Sequence, residues 1–157
     1  MRASDSRMDR RCDVVWANGH GDLTALHAHM PRVDTMRVQF AFVYDGDQRA
    51  AIEGPQDASR WPRLTLPSDS GPDALFKSLA SEPGRIAARL LRQDAEISAW
   101  LDALAGSDEH DWVNGLCERH GNRTAALDAL SDLWTESHPD EAMRFLEQLL
   151  SGWKLGG

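Results

Sequence analysis

The sequence predicts an α+β fold: a small, mostly antiparallel sheet of β-α-β-β order, packed against a C-terminal antiparallel helical bundle. Three observations carry this expectation. Thr35 to Tyr44 alternates, with Val38, Phe40, Phe42 and Tyr44 on one face, and Asp45-Gly46 follows as a hairpin signal. From Asp73 onward the apolar residues recur at helical spacing. The longest such stretch, Pro83 to Gly106, sets Ile86, Leu90, Ile97, Trp100, Leu101 and Leu104 on one stripe. Wound as one helix it makes a rod of roughly 30 Å, enough to cross a small domain and cover the aromatic face of the sheet.

The 157 residues fit one domain. Residues 1–11 are polar and arginine-rich and read as a flexible arm. Residues 12–157 read as a single α+β domain, with a sheet part over 12–70 and a helical part over 71–157. Cys12 to Ala17 (CDVVWA) predicts the first strand, closed by Asn18-Gly19. Asp22 is placed to cap a short helix, Leu23 to Met30, which Pro31 ends. After the strand at 35–44, Asp45-Gly46-Asp47 predicts a hairpin and Arg49 to Glu53 the returning strand. The prolines between Gln56 and Pro72 predict an irregular crossing, with Arg63 to Leu66 as a brief edge strand and Trp61 pinning the loop to the core.

Asp73 to Ser81 predicts a short helix. In the long stretch that follows, Gln93 interrupts the apolar stripe and marks a kink near Gln93-Asp94. Ser107 or Asp108 is placed to cap the next helix, which Gly121 ends, and Asn122 or Thr124 opens another. Ser137, Pro139 and Asp140 read as the start of a last helix that buries Met143, Leu146, Leu149, Leu150 and Trp153. Trp100, Trp134 and Trp153 fit apolar stripes, whereas Trp112 lies at the margin of its own and, if exposed, would anchor an interface.

Charge separates the two parts. Met1 to Pro72 holds 9 basic and 10 acidic residues, while Asp73 to Gly157 holds 8 basic and 15 acidic. Between Asp94 and Glu141 there are 12 acidic residues against Arg119 and Arg123 alone, a net of −10. Such a surface repels nucleic-acid phosphates and attracts a basic partner. No apolar run is long enough for a membrane span, and the polar N-terminus does not resemble a secretory signal, so a cytoplasmic protein is expected. Arginine outnumbers lysine 15 to 2, a bias that points to a GC-rich bacterial source.

No nucleophile or phosphate-cradling motif is present. For a metal, Cys117 and His120 lie three apart on a helix, with His110 seven residues upstream. His27 and His29 form an H-x-H pair, Asp45 and Asp47 a D-x-D pair best explained by turn chemistry, and His20 sits between two glycines. Cys12 and Cys117 are too few and too far apart for a disulfide framework. No cofactor is implied.

The more telling pattern is Asp128, Asp132 and Glu136, recurring every four residues away from their helix's apolar face. Like charges so spaced repel in an isolated helix. A second cluster, Asp108, Glu109 and Asp111, crowds a helix start whose dipole accepts it. The expectation is a non-enzymatic bacterial protein-binding module of inhibitor, immunity-type, adaptor or regulatory kind. It would engage a basic protein through these acidic residues and Trp112. The alternatives are a small metal- or histidine-dependent enzyme and a homo-oligomeric structural protein, such as a homodimer.

Overall fold

The computed structural model describes residues 17, 19–33, 38–55 and 57–152. The expected arm, nearly all of the strand at 12–17, the first residues of the strand at 35–44, Cys12 and Trp153 lie outside the described residues. Among the described residues helix predominates, with one two-stranded sheet. The chain divides into two compact units, residues 1–70 with 140–157, and residues 71–139.

In the first unit, α1 (His20–His29) is followed by β1 (Phe42–Tyr44), a 3-10 turn (Gly46–Gln48), α2 (Arg49–Ile52) and β2 (Arg63–Thr65). The α1 helix starts after Gly19 with no side-chain cap, and Asp22 lies within its first turn. The sheet is parallel, pairing Phe42 with Arg63, Val43 with Leu64 and Tyr44 with Thr65. This corrects the predicted antiparallel hairpin, for which Gly46 was the turn signal. Its amide donates to the Ser70 carbonyl at 2.7 Å, and a Cβ there would lie 1.7 Å from the Ser68 carbonyl oxygen. The glycine is needed for a close backbone approach and does not reverse the chain. The predicted return strand at 49–53 winds instead into α2, and the chain comes back beside β1 through the crossover that parallel strands require. Arg49 ties this crossover to the segment after β2, donating to the carbonyls of Leu66 at 3.1 Å and Ser68 at 2.7 Å.

Phe42, Tyr44, Ile52 and Trp61 form the core of this unit, with Leu23, Met30 and Phe40 packed against them. The aromatic face of β1 is thus covered locally, in part by α1. On α1, Leu26 is 47% exposed.

The second unit holds α3 (Pro72–Lys77), a 3-10 turn (Ser78–Ser81), α4 (Pro83–Leu90), α5 (Asp94–Leu104), α6 (Glu109–His120) and α7 (Arg123–Ser137). The stretch 83–106 is divided into two helices near the predicted break at Gln93-Asp94. Leu91 adopts the left-handed conformation at φ 54°, its amide bonding to Ala87, and Gln93 is extended ahead of Asp94. The stripe survives the break, since Ile86, Leu90, Ile97, Leu101 and Leu104 are all buried. Asp108 caps α6 by accepting from the Asp111 amide at 2.8 Å, and Asn122 caps α7 by accepting from Ala125 at 3.1 Å. Gly121, at φ 80°, ends α6. Helices α5 and α6 approach closely at Gly115, where a Cβ would meet Leu104 Cδ2 at 2.6 Å.

The last helix, α8 (Pro139–Gly152), returns to the first unit from Asp140 onward. None of its described side chains is fully buried, and Met143 is 40% exposed, so the deep burial predicted for its stripe is not found. Ser137 does not cap it. Its hydroxyl accepts from Arg85 at 2.7 Å and donates to Glu82 at 3.3 Å.

Candidate functional site

The acidic residues of α7 sit opposite arginines of α4. Arg85 and Arg89 are four apart on α4, as Asp132 and Glu136 are on α7. Arg89 bonds Glu136 directly and lies 3.9 Å from Asp132, and Arg85 approaches the other Glu136 oxygen at 3.6 Å. Two helices packed side by side thus match their i, i+4 ladders, and the repulsion left unexplained by α7 alone is relieved across the contact. The hydrogen bond from Arg89 holds the Glu136 carboxyl below the usual glutamate range and raises the Arg89 guanidinium in turn. Of the predicted stripe, only Asp128 is exposed without an arginine or lysine partner among the described residues. Trp112 is a correction: at 1% exposure it belongs to the core beside Val113 and Leu116, and it presents nothing to a partner.

The second acidic cluster stands differently. Asp108, Glu109 and Asp111 are all exposed at the start of α6, and Asp102 is exposed near the end of α5, just before the turn that joins them. Asp102, Asp108 and Asp111 form no ion pair with an arginine or lysine among the described residues. The nearby cations face other groups. Lys77 donates to the Ser107 carbonyl at 2.6 Å, Arg119 to Gly115 at 3.0 Å and Arg123 to Asn114 at 2.6 Å. His110 meets Asp73 at 2.9 Å. The carboxylates are held by backbone geometry: the Asp108 cap fixes the first turn, and the free amides there favour negative charge.

The metal candidates do not converge. Cys117 is buried at 3%, and burial pushes its thiol up. His120 has its Nδ1 buried without a hydrogen-bond partner among the described residues. His110 lies two helical turns from Cys117, roughly 10 Å along the axis, and turns to Asp73. No group of three or more His, Cys, Asp or Glu residues among those described could hold an ion. On α1, His27 bonds the Trp61 carbonyl at 2.9 Å and packs edge-on to Phe42 at 5.0 Å, while His29 bonds the Ala25 carbonyl at 2.7 Å and His20 is exposed. Asp45 and Asp47 belong to the 3-10 turn and its approach.

The first unit holds a feature that the sequence reading missed. Beside β2 lies a cleft of about 510 Å³, whose lining includes Arg32, Arg60 and Arg63 together with Gln148 and Ser151 of α8. A neighbouring cleft of about 390 Å³ takes in Arg49 and Arg144, the other two arginines described in this unit. These positions are spread through the chain, and none belongs to a local motif. No helix among the described residues is long and apolar enough to cross a membrane.

Comparisons of the chain with protein-family models, curated proteins and solved structures find no match.

Proposed function

We propose that the protein is a non-enzymatic binding module whose acidic α6 start engages a basic surface of a protein partner. The observation that carries this reading is that Asp108 and Asp111, with Asp102 beside them in sequence order across one turn, are exposed and unmatched by arginine or lysine, whereas Asp132 and Glu136 are paired within the fold. Asp128 is an outlying member, and Glu109 adds charge at the same helix start. Exposed carboxylates at a capped helix end keep their hydration until contact, so they favour fast, salt-sensitive encounter more than intrinsic affinity. An inhibitor, immunity-type, adaptor or regulatory protein uses a surface of this kind.

The test uses the full chain and a labelled oligolysine peptide as the basic probe. Asp108→Asn with Asp111→Asn removes two charges while asparagine retains the cap. This variant is expected to bind the probe more weakly, on the order of several-fold at low salt. Glu136→Gln, which removes a charge already paired, is expected to bind as the wild type does. Unchanged binding by the asparagine variant, or a larger loss in Glu136→Gln, contradicts the proposal.

A further inference from the structure

One histidine stands inside the acidic start of α6. His110 lies between Glu109 and Asp111, and its Nδ1 meets Oδ2 of Asp73, on α3, at 2.9 Å. An ionised carboxylate only accepts, so Nδ1 carries the hydrogen and donates it. The tautomer of the neutral ring is thereby set, with Nδ1–H on Asp73 and the lone pair on Nε2. The His110 side chain is 71% exposed, so the contact orients the ring without burying it.

A proton gained by this ring goes to Nε2. That atom then changes from acceptor to donor, and a full positive charge appears among the carboxylates. The helices α3, α5 and α7 pack against α6. Asp73 and Lys77 come from α3, and Asp102 from the end of α5. Asp108, Glu109 and Asp111 belong to α6 itself. Lys77 donates to the Ser107 carbonyl at 2.6 Å, and Arg123 of α7 donates to Asn114, a turn further along α6, at 2.6 Å. Between about pH 5.5 and 7.5 the carboxylates stay ionised and the ammonium stays protonated, so a histidine is the group here that can change sign.

We propose that His110 belongs to the binding surface and makes it pH-sensitive: the neutral ring accepts a hydrogen bond at Nε2 from a lysine ammonium of the partner, and the protonated ring repels that ammonium. Loss of the acceptor and gain of the charge act in the same direction, so acid favours release. This regulation rests on the α6 start being the surface that meets the basic partner.

The experiment titrates the full chain with labelled oligolysine at about pH 7.5 and about pH 5.5, where histidine alone among the side chains ordinarily changes charge. Salt is kept near 0.01 M, where the Debye length is roughly 30 Å. Wild-type affinity is expected to fall about threefold or more at the lower pH, the effect of one added charge close to a lysine. His110→Gln keeps an acceptor oxygen and gains no charge. It is expected to hold, at both pH values, the affinity that the wild type shows at the higher one. His20→Gln removes an exposed histidine of the first unit and is expected to retain the wild-type fall. Far-ultraviolet circular dichroism is expected to be the same at both pH values. Equal wild-type affinity at the two pH values overturns the proposal, as does an undiminished fall in His110→Gln, and either result leaves the α6 surface standing. Helix lost together with binding at the lower pH overturns it too. If Asp108→Asn with Asp111→Asn binds as the wild type does at the higher pH, the surface itself fails, and this inference fails with it.

Discussion

Glu136 shows how a residue's neighbours change its meaning. As one of three acidic residues spaced four apart it reads as part of an exposed stripe, yet Arg89 and Arg85 of α4 take its charge. Its folded pKa is depressed, so the pair contributes stability that is present above the ordinary glutamate pKa and is lost as pH falls through the lowered one. The stability difference between wild type and Glu136→Gln is expected to be largest near neutral pH, to shrink in acid and to shrink with added salt, because the pair is solvent-exposed. Urea unfolding at several pH values measures it, and a difference that grows in acid would contradict the pairing. Gly46 is a second case. Its presence after Asp45 is plain in the sequence, but the cause is the Ser68 carbonyl lying where a side chain would stand. Gly46→Ala is expected to destabilise the fold by about 1–3 kcal/mol, the ordinary range for forced overpacking, because the obstacle is backbone and cannot rotate away. An alanine variant that melts with the wild type would show that the contact is not needed.

Among the elements, the break between α4 and α5 is the most instructive. Gln93 inside an apolar stripe marks the place, and the chain separates there. The left-handed conformation falls on Leu91, two residues earlier, with its side chain 91% exposed. A leucine there carries the Cβ strain that glycine avoids and gains nothing from packing. Leu91→Gly is therefore expected to stabilise the protein by roughly 1 kcal/mol in urea unfolding. A loss of stability would mean that the unfolded chain's added freedom outweighs the relieved strain. Helix limits from Asp108 to Asn122 were legible because caps and terminators are local: Asp108, Gly121 and Asn122 each act within a turn or so of their own position. The sheet was not legible as parallel. Asp45-Gly46 satisfies the hairpin pattern, and only the distant segment 66–70 decides otherwise.

For the whole molecule, the sequence conveys the amount and sign of charge well and its disposition poorly. The acidity of the helical part is real, but Arg85, Arg89 and Arg92 neutralise part of it through Glu82, Asp132, Glu136 and Glu96. The pairs from α4 to α7 join residues up to 51 positions apart, from Arg85 to Glu136, beyond any local pattern. Trp112 went inward for a related reason. A tryptophan at the edge of a stripe has its burial settled by the neighbouring helices, and α3, α5 and α7 all pack against α6. The arginine cleft was invisible because its residues come from loops and one short strand. The surface proposed for recognition is the acidic start of α6. The most direct measurement is the association rate of the full chain with oligolysine by stopped flow across ionic strength, for wild type and Asp108→Asn with Asp111→Asn. A rate that falls steeply with salt in the wild type, and clearly less steeply in the variant, is the predicted result. Equal slopes for the two proteins would contradict it.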